Sequence, residues 1–180
     1  PQVEQVKKKN YEILYLTDYL DEFVLGVLNE FNGKKFKNVA DSSLELDTEE
    51  EKEALNKINE DNKEMLDVIK KELGEDVERV RFTNKLATHP VCLTTEGEVS
   101  VEMQKVINAM PGDDKVKAKM VLEINENHPI SDKLKNLYKN DKDELRKYAK
   151  VLYSEARLIE GLSIDNPTEI SNLICDLLSK

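Results

Sequence analysis

The sequence has 180 residues, of which 37 are Asp or Glu and 27 are Lys or Arg, so its formal net charge is −10. This charge argues against a non-specific binder of nucleic acid, because such a protein needs a basic face that displaces counterions from the phosphates. Hydrophobic residues make up 39% of the chain, which is enough for the core of one or two domains. The many charged residues favour long amphipathic helices with solvated outer faces.

The two cysteines, Cys92 and Cys175, have no CxxC spacing and no neighbouring pair of histidines. They therefore predict neither a zinc site nor a disulfide framework, and they favour a reducing, cytoplasmic setting. No apolar run approaches the roughly 20 residues of a transmembrane helix, and residues 1–9 have no signal-peptide core. Because the chain starts without Met and inside a charged helical pattern, we expect it to be part of a longer protein.

The first part of the chain is predicted to be a small α/β segment. Residues 11–16 are rich in aromatic and β-branched side chains, which is typical of a short buried strand. A helix should follow, with apolar residues at helical spacing from Leu20 to Phe31 and a stop at Asn32-Gly33. Residues 35–39 predict another short strand.

A domain boundary is predicted near residue 45. Residues 40–50 are polar and acidic, which is typical of a linker. We therefore expect residues 1–45 to complete a domain that begins upstream, and residues 46–180 to form a domain of their own.

The second domain is predicted to contain a small three-stranded sheet among helices. Thr48 and Glu51 form a capping box, and apolar residues on one helical face run from there to Gly74, which predicts one long helix. A further helix is expected at about residues 99–110, ended by Pro111-Gly112. The three strands are expected at residues 77–82, 90–94 and 119–124.

Two helices are predicted to close the chain as a hairpin. The first should run from about Asp141 to Gly161, and the second has Asn166 as its cap, Pro167 at its first position and Glu169 at its third. With the sheet and the preceding α/β segment, this hairpin gives a helix-rich α+β fold.

Residue types that carry catalysis or bind cofactors show no diagnostic spacing. No pair of glycines has the spacing of a phosphate-binding loop, and His89 and His128 lie in no metal-binding motif. The acidic run Glu49-Glu50-Glu51 falls in the first turn of a helix, where the helix dipole accounts for its charge without a metal. We therefore expect no catalytic residue, metal site or cofactor in this chain.

Two apolar stripes are more informative. The first lies on the helix at about residues 99–110, where it is either part of the core or an adaptable surface for apolar partners, since Met side chains are flexible. It consists of Val99, Met103, Val106, Ile107 and Met110.

The second stripe lies on the two closing helices, which either pack within the chain or pair with a second copy as a four-helix bundle. Its residues are Leu145, Tyr148, Leu152, Ala156, Ile159, Ile170, Leu173, Ile174, Leu177 and Leu178.

Six segments resemble the heat-shock protein 90 family of chaperones in residues, order and spacing. The segments are Leu16-Thr-Asp-Tyr-Leu-Asp-Glu-Phe, Asn29-Glu-Phe-Asn-Gly-Lys-Lys-Phe, Phe82-Thr-Asn-Lys-Leu, Pro90-Val-Cys-Leu, Leu122-Glu-Ile-Asn-Glu-Asn-His-Pro-Ile and Val151-Leu-Tyr-Ser-Glu-Ala. The sequence has no Met-Glu-Glu-Val-Asp tail, which is similar to the bacterial form.

The resemblance implies that residues 1–45 end the middle domain and that residues 46–180 form the C-terminal dimerization domain. It also implies a homodimer through the second stripe, and binding of non-native client proteins by Phe23 and the first stripe. ATP and Mg would belong to the full-length protein, whose nucleotide site lies upstream. An acidic helical adaptor that docks one folded partner is the alternative function, and Phe23 can also be a core residue.

Overall fold

The computed structural model describes residues 3–44, 46–97, 99–111 and 116–179. Glu45, where the domain boundary is predicted, and Gly112, at the predicted helix stop, lie outside these residues. The described elements are α1 (Val3–Lys8), α2 (Asp21–Leu28), β1 (Glu30–Phe31), β2 (Lys34–Lys35), α3 (Glu49–Asp61), α4 (Lys63–Leu73), β3 (Arg79–Thr83), β4 (Val91–Glu96), α5 (Val101–Ala109), β5 (Lys119–Asn125), α6 (Pro129–Asn140), α7 (Lys142–Ile159) and α8 (Pro167–Leu178).

A three-stranded sheet lies at the centre of the second part of the chain, as predicted. Its strand order is β3-β5-β4, with β3 parallel and β4 antiparallel to the central β5. The register places Phe82 of β3 and Val91 of β4 opposite Ile124 of β5. Apolar residues alternate with Glu123 and Asn125 along β5, and all of these side chains are buried because the strand is central.

Helices α4, α6 and α7 bury their apolar faces together with the sheet in one core. Met65 and Ile69 of α4, Leu134 of α6 and Leu145 of α7 are all fully or almost fully buried there. This core, with eight helices and two small sheets among the described residues, confirms the predicted α+β fold.

The predicted strand at residues 11–16 is wrong. These residues form no regular secondary structure, and all but Ile13 are exposed. Aromatic and β-branched side chains favour a strand only where a neighbouring strand supplies hydrogen bonds and packing. The described part of the chain places no such strand beside this segment.

The predicted helix stop at Asn32-Gly33 is instead the turn of a β-hairpin. Asn32 and Gly33 both have positive φ, 49° and 74°, as a two-residue hairpin turn requires. Helix α2 has already ended at Leu28, because Asn29 adopts a left-handed conformation and its N–H bonds to the Leu25 carbonyl at 2.7 Å. The strand expected at residues 35–39 is wrong for most of its length, since β2 covers only Lys34–Lys35, where it pairs with β1, and residues 36–39 form no strand.

The predicted long helix from Thr48 to Gly74 is two helices that meet at Asn62. The Asn62 side chain donates to the Ile58 carbonyl at 2.8 Å, which gives the backbone an alternative to continuing the helix. The capping box at the start is confirmed, since Thr48 Oγ1 accepts from the Glu51 N–H and Glu51 accepts from the Thr48 N–H.

Helix α6 is present in the structure although it was not predicted. His128 is its N-cap and accepts from the Ile130 N–H at 3.2 Å, while Pro129 occupies the first helical position. The closing helices α7 and α8 confirm the predicted hairpin, with Asp141 and Asn166 as N-caps.

Candidate functional site

The first apolar stripe is neither buried nor fully exposed. Met103, Val106 and Ile107 on α5 are half-buried, and Met110 just beyond the helix is 51% exposed. Val99 is also half-buried, but it precedes the helix, which begins after Ser100. The stripe therefore offers partly accessible apolar surface on a short helix.

Polar contacts attach α5 to its surroundings. Gln104 Oε1 accepts from the Ala118 N–H at 2.6 Å, and Asn108 exchanges hydrogen bonds of 2.9 Å with the backbone of Val116. Val101 is the one buried residue of α5. These hydrogen bonds and the buried Val101 together hold α5 in place.

The segment from Tyr11 to Phe31 carries most of the exposed apolar side chains. Phe23 of α2 is half-buried, whereas Val24 and Val27 on the same helix are exposed. The exposed large apolar residues of this segment are Tyr11, Leu14, Tyr15, Leu16, Tyr19, Leu20, Val24, Val27, Leu28 and Phe31. So many exposed apolar side chains within one short segment are typical of a region that meets another protein segment.

The second apolar stripe divides between the core and the surface. Leu145, Leu152 and Ala156 of α7 lie in the chain's own core, so they have almost no surface to offer a second copy. Tyr148 is half-buried against that core, and Ile159 is exposed at the end of the helix.

Helix α8 has no buried residue at all. Ile170, Leu173 and Leu177 are half-buried, whereas Ile174 is 39% and Leu178 is 82% exposed. Ion pairs along its polar side hold α8 on α7, at 3.4 Å between Lys147 and Asp176 and at 3.1 Å between Lys150 and Glu169. Ile174 and Leu178 are therefore the apolar residues of α8 that are most accessible to another molecule.

A buried carboxylate helps to anchor the end of the first part of the chain. Glu123 is fully buried and accepts from Arg81 Nε at 3.0 Å and from Thr94 Oγ1 at 3.2 Å. Arg81 and Lys85 also donate to the carbonyl of Ser42, and burial lowers the pKa of Lys85. These bonds hold the segment around Ser42 against the sheet.

A second carboxylate ties α1 to the loop between β3 and β4. Glu4 accepts from the backbone N–H of Ala87 at 2.7 Å, from Thr88 and from His89 Nδ1 at 3.1 Å. Partial desolvation opposes ionisation, but these hydrogen bonds outweigh it and lower the pKa of Glu4 to about 2.

The described residues of the types that carry catalysis or bind metals show no arrangement suited to either role. Cys92 is buried, and burial raises the pKa of its thiol, which makes a reactive thiolate unfavourable. Among the described residues, no group of three or more His, Cys, Asp or Glu side chains is arranged to hold a metal ion. None of the helices in the described part of the chain combines the length and the apolar composition that a bilayer crossing needs.

A family model described as Hsp90 protein matches residues 1–180. The chain belongs to the Hsp90 family. The Chaperone protein HtpG of Clostridium perfringens (strain 13 / Type A) is 46% identical over 178 residues, which are 99% of this chain and 28% of that protein. The proteins of the same name from Clostridium acetobutylicum and Alkaliphilus oremlandii are 44% and 43% identical over the same shares. The chain therefore spans about 28% of the length of these relatives.

The segment of this Hsp90 chain from Leu122 to Ile130 joins the sheet to α6. It contains the buried Glu123, and it contains Asn125, whose side chain donates to the His89 carbonyl at 2.9 Å. It also contains His128, which is the N-cap of α6. The motif thus fixes the direction in which the chain leaves β5.

Several residues at the two apolar surfaces were not predicted from the sequence. Leu158, beside Ile159 at the end of α7, is exposed. Glu22, beside Phe23, accepts a hydrogen bond from Ser100, the N-cap of α5. The helical spacing predicts neither, because Leu158 lies off the stripe and a contact between distant polar residues has no local pattern.

Proposed function

We propose that this chain is the dimerization and client-binding region of an Hsp90 chaperone that assists the folding of non-native proteins. The observation that carries the proposal is the half-exposed apolar stripe of α5, in a chain that belongs to the Hsp90 family. A core helix would bury such a stripe, and a purely solvated helix would not carry it.

The client-binding surface consists of Phe23 and the α5 stripe. Its members are Phe23, Val99, Met103, Val106, Ile107 and Met110, each of which is half-buried or exposed. Two of them are Met residues, whose flexible, polarizable side chains adapt to apolar partners of different shape. This adaptability suits a chaperone that binds several unrelated clients.

The dimer interface consists of the accessible part of the second stripe. Tyr148, Ile159 and the apolar side of α8 supply it, while Leu145, Leu152 and Ala156 support the hairpin from behind. An isologous pairing of two such hairpins makes a four-helix bundle and covers the apolar side of α8 in both copies. Dimerization would keep the distant parts of two full-length chains at high effective concentration.

Residues 1–45 belong, in this proposal, to the end of the preceding middle domain, and residues 46–180 form the C-terminal domain. ATP and Mg would be bound by the rest of a full-length cytoplasmic protein, and no catalytic residue is assigned to this chain. The exposed apolar side chains from Tyr11 to Phe31 support this division, because burying them needs further protein surface.

An aggregation assay with several unrelated unfolding proteins tests the client-binding role. The chain should suppress aggregation of all of them, and the variant with Met103→Ser and Ile107→Ser should lose most of this effect. Because both side chains are half-buried, its free energy of unfolding should fall by only about 1 to 2 kcal/mol.

The matched control replaces Glu102 and Ala109, exposed residues of α5 outside the stripe, by Ser and should suppress aggregation like the original chain. Suppression that is unaffected by the Met103 and Ile107 replacements would contradict the assignment. Protection of only one of the unfolding proteins would favour the alternative of an adaptor with a single partner.

A further inference from the structure

A hydrogen bond between Glu22 of α2 and Ser100 joins the two halves of the apolar surface. Ser100 Oγ donates to Glu22 Oε2 at 2.7 Å and accepts from the Met103 N–H at 3.0 Å. A serine hydroxyl has one proton. When it donates this proton in a hydrogen bond to Glu22, its oxygen lone pairs can accept from the first turn of α5. The capping of α5 is therefore linked to the position of α2.

The Glu22 carboxylate also belongs to a series of hydrogen bonds that reaches the end of β4. Glu22 Oε1 accepts from Asn38 Nδ2 at 3.0 Å, and Asn38 Oδ1 accepts from the Ala40 N–H at 2.9 Å. The Ala40 carbonyl in turn accepts from the Thr95 N–H at 2.9 Å. The first part of the chain thus holds the end of β4 and the start of α5 together.

The charge of Glu22 strengthens this link. A hydrogen bond to a carboxylate is stronger than one between neutral groups, and a negative charge close to the N-terminus of a helix interacts favourably with its dipole. Val101, the first residue of α5, is buried in the core, so this hydrogen bond adds to apolar packing at the start of the helix.

We propose that Glu22 is a positioning residue that fixes α5 relative to α2, so that Phe23 and the α5 stripe form one surface. When the bond between Glu22 and Ser100 opens, the first turn of α5 loses the oriented hydroxyl that caps it. The consequence for client binding rests on the proposed function, whereas the link between the two helices does not.

Amide hydrogen exchange at Met103 tests the link through a double-mutant cycle in the 180-residue chain. Loss of a serine N-cap raises the opening equilibrium of the first turn about fivefold, so Ser100→Ala should speed exchange of the Met103 amide by that factor. Glu22→Ala should speed it about two- to fivefold. In the Ser100→Ala background, Glu22→Ala should have a smaller effect than in the original chain, because only the interaction of its charge with the helix dipole is then lost. Equal effects of Glu22→Ala in both backgrounds, or none in the original chain, would overturn the proposal.

Two further variants separate positioning from a general loss of stability. Glu22→Gln keeps an oxygen that can accept from Ser100 but loses the charge, so the Met103 amide should exchange at a rate between those of the original chain and Glu22→Ala. Exchange as fast as in Glu22→Ala would overturn the hydrogen bond as the cause. Glu30→Ala, at an exposed glutamate of β1, should leave the Met103 amide unchanged, and the amides of α7 should exchange at their original rate in every variant.

The outcome for Met103 is independent of the outcome for clients. If the cycle shows coupling but the Met103 and Ile107 replacements do not affect aggregation, the positioning role stands and the client-binding proposal fails. If the cycle shows no coupling, the positioning role fails even where those replacements abolish suppression.

Discussion

The sheet with α4, α6 and α7 differs sharply from the segment between Tyr11 and Phe31 in how far its apolar side chains are buried. Around the sheet, residues such as Phe82 and Leu122 have no accessible surface. In the other segment, Val27 and Phe31 remain largely in solvent although the segment is rich in apolar residues. The first region buries its apolar side chains within the chain, whereas the second leaves many of them exposed.

This difference shows which part of this Hsp90 chain buries its own apolar side chains. Burial of apolar area is the main stabilising contribution to folding, so the region around the sheet supplies most of the stability of the chain. Residues 1–45 meet the second part of the chain through hydrogen bonds at Glu4, Glu22 and Ser42. Apolar side chains take part as well, since Val39 lines a cavity with Leu86.

Replacing one phenylalanine in each region gives the largest expected contrast. Phe82→Ala leaves a cavity at a fully buried position and should lower the free energy of unfolding by about 3 to 5 kcal/mol. Phe31→Ala removes a side chain that is 63% exposed and should change it by less than about 1 kcal/mol. Urea unfolding followed by circular dichroism measures both, and similar losses would contradict the division into two regions.

Acid should weaken the polar contact between α1 and the loop that precedes β4, with a smaller effect. The folded-state pKa of Glu4 is lowered from 4.5 to about 2, so this contact stabilises the fold above pH 4.5 and the contribution is lost as pH falls from there toward 2. Glu4→Gln should remove that part of the pH dependence. Hydrogen exchange of the Ala87 and Thr88 amides between pH 5 and pH 3 measures it, and equal pH dependence in both proteins would rule out this role for Glu4.

Local signals predicted the elements whose ends are determined by neighbouring residues. Thr48 with Glu51, and Asn166 with Pro167 and Glu169, mark helix starts that the structure confirms. The sheet followed from short stretches of β-branched and apolar residues. In each case the pattern that forms the element lies within it or beside it.

The sequence could not predict features that depend on distant partners. Residues 11–16 have strand composition but no neighbouring strand in the described residues, and Asn62 interrupts a helix through one side-chain hydrogen bond. Leu145 and Ile174 each belong to an apolar stripe with helical spacing, but the first is buried in the core and the second is exposed. Spacing shows that a helix face is apolar, and it does not show whether the chain itself or another copy covers it.

The molar mass of the chain in solution tests the central claim most directly. The 180-residue chain has a mass of 20.7 kDa, and light scattering at micromolar concentration should give twice this value. Ile174→Asp should return the mass to that of one chain, because a carboxylate buried in an apolar interface costs several kcal/mol. Asn172→Asp, which adds the same charge on the opposite side of α8, should leave the dimer intact. A single-chain mass for the unmodified protein would contradict the account.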